Sequence, residues 1–227
     1  MQYFLQTPTP NLAKSIAYFK ALGYEIKQYE NYTLAYDAAL TILINTERTA
    51  RAGVTMIKKN WDEEVANLRK HTNVINQDSN YYFADPSGCW FHLLTQEIVE
   101  IPDTKTSCIL GNYAGLSLES MDIQCSCRIL EALNFELSAG AIEQDWLTYT
   151  DASKNNISIM APFACPHIFL NPSVSYFNGV ENLKIIENIK KLSIPIAEEI
   201  TAFSKDGAVD NIILQEPGGY GFFVFSD

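Results

Sequence analysis

The chain has 227 residues, of which 47% are hydrophobic, 12% aromatic and 19% charged. This composition supplies enough apolar material for packed cores and excludes a disordered chain. The formal net charge is -11 at pH 7, and lysines and arginines are nowhere denser than a neighbouring pair. Because nucleic-acid binding requires clustered cations, we expect no nucleic-acid partner.

Sequence features that bear on location point to a cytoplasmic protein. The first residues lack the basic flank, long apolar core and cleavage site of a signal peptide. No stretch approaches the roughly 18 apolar residues that a membrane span needs. We therefore expect a soluble, cytoplasmic chain with no membrane partner. The five cysteines lack matched spacings, and we expect core packing for them rather than metal or redox chemistry.

A strand and a helix are predicted first. Tyr3 and Leu5 alternate with polar neighbours, as in a half-buried strand. A helical stripe then runs over Leu12–Leu22, and Gly23 supplies the left-handed residue that ends a helix. The sequence Thr-Pro-Asn at 9–11 predicts a hydroxyl or amide cap with proline in the first turn.

The rest of the first half alternates strands with one more helix. These elements are strands at Thr41–Ile44 and Val54–Ile57, a helix at Asp62–His71, a strand at Tyr81–Phe83, and a final strand after the turn Asp85–Gly88. Each run is short and bounded by turn residues. The first half therefore contains two strand-helix-strands units.

The second half repeats this order. Ser15–Ile26 returns 111 residues later as Ser126–Leu137, with Asn134 in place of Gly23. The predicted elements are a strand at Leu116–Leu118, a helix from Ile123, strands at Ile157–Met160 and His167–Leu170, a helix at Glu181–Leu192, a strand at Ile212–Leu214, and a final strand after the turn Glu216–Gly219. Such a repeat predicts two similar domains.

The predicted boundaries follow from the repeat and from a polar, proline-containing segment between the halves. We predict a first domain over 1–98 (units 1–50 and 51–98), a linker over 99–109, and a second domain over 110–227 (units 110–164 and 165–227).

The order of these motifs resembles the vicinal oxygen chelate superfamily, which includes glyoxalases, bleomycin-resistance proteins and extradiol dioxygenases. Leu22–Glu25 and Asp85–Gly88 match its helix end and closing turn well, and Leu133–Glu136 and Glu216–Gly219 match loosely. The resemblance covers nearly the whole chain. It implies an α+β fold in which paired βαβββ units form one eight-stranded cup per domain, with helices outside and the ligand in the concavity.

The resemblance also implies that the enzymes of this superfamily hold a divalent metal with two or three His, Glu or Gln side chains. The corresponding positions are Phe4, Gly53 and His92 in the first half, and Gly115, His167 and Phe223 in the second. A catalytic metal needs about three protein ligands. Each cup therefore offers a single histidine, and we predict neither a metal nor another cofactor.

Aromatic residues are expected to line the cups instead. The predicted ligand-binding residues are His92, Trp90, Phe4, His167, Phe169, Phe223, Tyr36 and Trp146. An apolar, aromatic concavity with a few polar groups is typical of a small-molecule site. Core packing or a structural role is the alternative for each of these side chains.

These observations predict a metal-free protein that sequesters or senses an aromatic or hydrophobic small molecule, as bleomycin-resistance proteins do. The alternative is a glyoxalase-like or dioxygenase-like metalloenzyme with a divalent metal and a non-standard ligand set, in which Glu119 or Gln96 would point into a cup. A structural or interaction role is a third possibility. The sequence leaves open whether the chain is a monomer or a homodimer.

Overall fold

The first half folds into one eight-stranded mixed sheet. The computed structural model describes residues 1–97, 99–204 and 207–226. The elements of the first half are β1 (Gln2–Pro8), α1 (Leu12–Ala21), β2 (Glu25–Gln28), β3 (Thr33–Tyr36), β4 (Thr41–Asn45), β5 (Gly53–Lys58), α2 (Asp62–Leu68), β6 (Ile75–Gln77), β7 (Asn80–Ala84) and β8 (Trp90–Thr95). The strand order is β2-β3-β4-β1-β5-β8-β7-β6. The two units thus join within one half, through antiparallel β1 and β5.

The second half has the same architecture. Its elements are β9 (Tyr113–Glu119), α3 (Ile123–Ala132), β10 (Glu136–Ala141), β11 (Trp146–Thr150), β12 (Asn156–Met160), β13 (Ser173–Phe177), α4 (Asn182–Lys191), β14 (Glu198–Ile200), β15 (Asn211–Gln215) and β16 (Gly221–Phe225). The order β10-β11-β12-β9-β13-β16-β15-β14 repeats that of the first sheet. The predicted α+β class with paired βαβββ units is confirmed.

The repeated helices begin and end as their sequences dictate. The Asn11 side chain caps α1 by accepting a hydrogen bond from the Lys14 amide at 3.0 Å. Gly23 and Asn134 both take the left-handed conformation after their helices, with φ of +88° and +64°. The prediction for Pro10 was wrong, because this proline precedes the cap and lies outside the first helical turn.

The predicted strand at His167–Leu170 is also wrong. This segment lies between Pro166 and Pro172 without regular structure, and the strand begins only at Ser173. A proline has no N–H to donate to a strand ladder, so pairing starts after Pro172. The Ile168 side chain is 60% exposed and does not face the helices.

The correct alignment of the halves follows from the strand pairing. Gly53 pairs with the first residue of β8, and Ser173 pairs with the first residue of β16. Gly53 therefore corresponds to Ser173 and not to His167, which lies on the loop before β13. Two residues further along each strand, Thr55 corresponds to Ser175.

The helix-bearing faces of the two sheets share one core. A single apolar cluster includes Leu5 and Phe19 from the first half and Leu116 and Phe222 from the second. The rings of Phe19 and Phe222 lie 6.3 Å apart. The opposite face of each sheet, which carries no helix, is called the first cup and the second cup below. Within the described residues, no helix is long and apolar enough to cross a membrane.

The segment between the sheets packs against the first half. The Ile109 amide donates to the Leu22 carbonyl, and the Cys108 amide donates to the Asp37 carboxylate, each at 2.9 Å. Residues 99–109 contain no helix or strand. The predicted domain boundaries stay a prediction, and their end points at 98 and 227 lie outside the described residues.

Candidate functional site

Three adjacent strands place a row of side chains at the centre of each cup. In the first cup, Phe4 on β1 pairs with Thr55 on β5, which pairs with His92 on β8. In the second cup the same row consists of Gly115, Ser175 and Phe223. The two cups therefore share a backbone frame but differ at each position of the central row.

An apolar cavity of about 210 Å³ occupies one side of the first cup. Phe4 and Tyr32 line it, with Leu34 and Leu43 between them. Gln96, which the enzyme alternative required in a cup, also lines this cavity. Tyr36 belongs to the same apolar cluster as Phe4, but its hydroxyl donates to the Glu25 carboxylate at 3.2 Å. Tyr36 does not border the cavity.

A more polar cavity of about 330 Å³ occupies the other side of the first cup. His92 lies in its wall between two aromatic rings, with its own ring 5.4 Å from Tyr82 and 6.5 Å from Trp90. The Gln6 amide nitrogen lies 2.9 Å from His92 Nε2. Burial lowers the pKa of His92 to about 4, so the imidazole is neutral at physiological pH.

A larger cavity, of about 580 Å³, occupies the second cup. Its aromatic lining includes Trp146 and Phe223, together with His167 from the loop before β13. The His167 and Phe223 rings meet edge to face at a centroid distance of 5.3 Å. Phe169 packs edge-on against Phe223 at 5.0 Å but does not border the cavity.

Hydroxyl groups form the floor of the second cavity. The hydroxyls of Ser117 and Ser175 lie 2.8 Å apart, as do those of Thr148 and Ser158. A hydroxyl can donate one hydrogen bond and accept two, so each of these groups keeps capacity for a ligand. Among the described residues that line this cavity there is no Asp, Glu, Lys or Arg. The lining thus combines apolar and aromatic side chains with neutral polar groups.

The side chains around the central rows do not fit a catalytic metal. The second row offers one weak donor, the Ser175 hydroxyl, and the first row offers His92 as its single strong donor. In the described part of the chain, no three His, Cys, Asp or Glu side chains lie close enough to share an ion. A catalytic metal needs about three such ligands. The fold is therefore present, but the side chains that would coordinate a metal are incomplete at these positions.

Sequence reasoning missed Gln6 and Ser175. Alternation places Gln6 on the same face as Phe4, but a polar residue between apolar strand residues carries no signal of a site. Its 2% exposure and its contact with His92 became apparent only from the strand pairing. Ser175 was missed because β13 was predicted several residues too early.

Solved structures of similar fold include several dioxygenases. A halotolerant catechol dioxygenase has a TM-score of 0.54 and 14% identity over 99% of this chain and 90% of that one. For 2,2',3-trihydroxybiphenyl 1,2-dioxygenase from Sphingomonas wittichii, the TM-score is 0.55 and the identity 14%, over 99% and 91%. A variant of homoprotocatechuate 2,3-dioxygenase from B. fuscum has a TM-score of 0.62 and 12% identity over 97% of this chain and 69% of that one.

These neighbours define the fold. No protein-family model and no curated protein sequence matches the chain. At 12–14% identity, the likeness extends to the arrangement of strands and helices along nearly the whole chain. The chain therefore shares the fold of these dioxygenases, as the resemblance to the vicinal oxygen chelate superfamily predicts.

Proposed function

We propose that the protein binds a small aromatic or hydrophobic molecule in the second cup without the help of a metal, and so sequesters or senses it. The observation that carries this proposal is the cavity of about 580 Å³, whose described lining is rich in aromatic side chains and contains no Asp, Glu, Lys or Arg. Small-molecule pockets usually measure about 300–1,000 Å³ and are mostly apolar with a few polar groups.

The chemistry of the lining favours a neutral ligand. A charged molecule would lose its hydration in this cavity without gaining a counter-charge, which costs several kcal/mol. A neutral aromatic ring would instead contact Trp146 and Phe223, either by stacking or edge to face. The Ser and Thr hydroxyls would form hydrogen bonds with its polar groups. Aromatic contacts of this kind contribute about 0.5–1.5 kcal/mol each beyond the burial of area.

The dioxygenase-like alternative is supported by the structural neighbours, which include dioxygenases of catechol and of trihydroxybiphenyl. By themselves these neighbours favour a metalloenzyme over a binding protein. The central row of the second cup argues against it, because Gly115 and Phe223 supply no ligand atom from their side chains. Glu119 lies on the same face of β9 as Ser117, but at the end of the strand and outside the cavity lining.

Binding of 1-naphthol, a neutral aromatic probe, tests the proposal. Trp146 is 45% exposed, so Trp146→Ala should leave stability nearly unchanged while weakening 1-naphthol binding roughly 2- to 10-fold. The matched control is Leu183→Ala, on α4, which removes a 53% exposed apolar side chain that does not line the cavity or the one beside it. Calorimetric titration gives the affinities, and thermal unfolding gives the stabilities.

Metal content separates the two functions. Protein produced in medium supplied with iron and manganese should carry well under one equivalent of either metal, and should not cleave catechol. Stoichiometric metal that a chelator removes, together with ring cleavage, would establish the alternative. Absence of 1-naphthol binding, or equal binding by wild type and Trp146→Ala, would refute the proposed site.

A further inference from the structure

The polar cavity of the first cup is chemically unlike the second cup and is independent of the function proposed above. At the end of the central row, His92 occupies the place that Phe223 occupies in the second half. The imidazole is 7% exposed and faces the cavity between Tyr82 and Trp90. What this cavity can bind depends on which imidazole nitrogen carries the proton.

The Gln6 amide is held in one orientation by its other neighbours. Its nitrogen lies 3.1 Å from the Arg51 backbone carbonyl, which can only accept a hydrogen bond. Its oxygen lies 3.1 Å from the Asn45 side-chain nitrogen, which can only donate, and 2.9 Å from the Thr55 hydroxyl. A flipped amide would place two acceptors together at Arg51 and two donors together at Asn45. The amide nitrogen of Gln6 therefore points at Arg51 and at His92.

This orientation fixes the tautomer of His92. Because Gln6 donates to His92 Nε2 at 2.9 Å, Nε2 must be the unprotonated nitrogen. The proton of the neutral ring then resides on Nδ1. Among the described residues Nδ1 has no hydrogen-bond partner, yet this atom is not fully buried. Since His92 lines the cavity, a ligand in the cavity can reach Nδ1.

We propose that the first cup is a second binding site, which takes a neutral planar molecule with a hydrogen-bond acceptor at its ring edge. The Nδ1–H of His92 donates to that acceptor, while Trp90 and Tyr82 contact the ring. Glu47 is the one acidic residue in the described lining of this cavity, and it is exposed to solvent. A charge therefore does not supply the selectivity for an acceptor, which the proposal assigns to the Nδ1–H of the buried His92 imidazole.

Quinoline and naphthalene are the matched probes, because they share shape and area and differ by one ring-nitrogen acceptor. The Trp146→Phe variant retains Trp90 as the tryptophan that lines a cup, so fluorescence then reports on the first cup. Quinoline should bind roughly 2- to 10-fold more tightly than naphthalene, as one net hydrogen bond predicts. Adding His92→Phe, which copies the second half at the equivalent position, should abolish this preference.

The tautomer itself can be observed directly. In a long-range proton–nitrogen correlation spectrum of nitrogen-15-labelled protein, His92 should show the Nδ1–H pattern at neutral pH, and quinoline should shift Nδ1. His92→Phe identifies the signal among the three histidines of the chain. If that variant fails to fold, two measurements still test the proposal. These are the His92 signal and the ratio of the quinoline and naphthalene affinities of the Trp146→Phe protein. An Nε2–H pattern, or equal affinity for both probes, would overturn the proposal while leaving that for the second cup intact.

Discussion

Glu216 is a buried acid that lines neither of the two proposed binding cavities. Its carboxylate is 1% exposed and lies where the closing turn of the second half meets the first half. One oxygen accepts hydrogen bonds from the Thr7 hydroxyl at 2.7 Å and the Gly218 amide at 2.6 Å, and the other has no partner among the described residues. Burial raises the pKa of Glu216 from its ordinary value of 4.5 to about 7.

This shift makes stability depend on pH in a defined direction. Between about pH 4.5 and pH 7 the native state binds more protons at Glu216 than the unfolded state does. The contribution of Glu216 to stability is therefore fully present below pH 4.5 and is lost as pH rises through about 7. The total loss by pH 8.5 to 9 is about 3 kcal/mol, since one pKa unit corresponds to about 1.4 kcal/mol.

Glu216→Gln should remove this loss, because the amide is neutral at every pH and its oxygen can accept the same two hydrogen bonds. We expect equal free energies of unfolding for variant and wild type near pH 5, and a more stable variant by about 2–3 kcal/mol near pH 8.5. Denaturant unfolding across this range measures the difference. A difference between the two proteins that does not change with pH would show that the carboxylate titrates normally.

At the scale of the elements, the sequence repeat preserves the junctions between strand and helix. Ser15 and Ser126 occupy equivalent positions on α1 and α3, and each hydroxyl contacts the hydroxyl before its helix: Thr9 at 2.8 Å and Ser120 at 2.7 Å. Ser126 also donates to Asp85, in the closing turn of the first half, at 2.8 Å. The repeated serine thus anchors each helix start, and in α3 it also joins the two halves.

Ser126→Ala should therefore cost more stability than Ser15→Ala. The Asp85 carboxylate is 6% exposed, and removing the Ser126 hydroxyl deprives one of its oxygens of a partner. The expected losses are about 1–3 kcal/mol for Ser126→Ala and about 0.5–1.5 kcal/mol for Ser15→Ala, in which no carboxylate is affected. Chemical denaturation at pH 7 compares the two variants. Equal losses would mean that the bond to Asp85 contributes nothing.

The elements that could be predicted from sequence are those specified by local signals. Gly23 and Asn134 end the helices because each residue adopts the left-handed conformation, and the turns before β8 and β16 carry Pro and Gly. The strand β13 could not be located by pattern, because 167–170 contains a short apolar run and 173–177 alternates polar with apolar residues, and either pattern is typical of a strand. The restriction imposed by Pro172 and the pairing with β9 and β16 decide between them.

The site was predictable only in part, for a related reason. Alternation from the turn predicts that His92 and Trp90 face a cup, and both line the polar cavity, while their contact with a ligand stays a prediction. The partnership of Gln6 with His92 depends on β1 and β8 lying on either side of β5, which no local pattern reveals. Residues 86 positions apart in sequence meet there.

At the scale of the whole molecule, the two sheets are joined by a buried layer of aromatic side chains. Tyr24 from the first half and Tyr176 from the second share a hydrogen bond of 2.5 Å. Tyr176 stacks on Phe222, which also contacts Phe19 of α1. The Tyr220 hydroxyl donates to the Gly53 carbonyl across the same boundary. The cups face away from this layer, so ligand sites can diverge while the shared core is retained.

This shared core predicts that the two halves unfold together. Differential scanning calorimetry should show one transition with equal calorimetric and van't Hoff enthalpies, although each half has a complete sheet of its own. Phe222→Ala removes a ring that both halves contact and should lower the stability of that single transition by about 3–5 kcal/mol. Leu137→Ala, at an exposed position of β10, is the control and should leave it unchanged. Two separate transitions in the wild type, or a Phe222→Ala variant in which only part of the heat absorption moves, would mean that the halves are independent domains that merely touch.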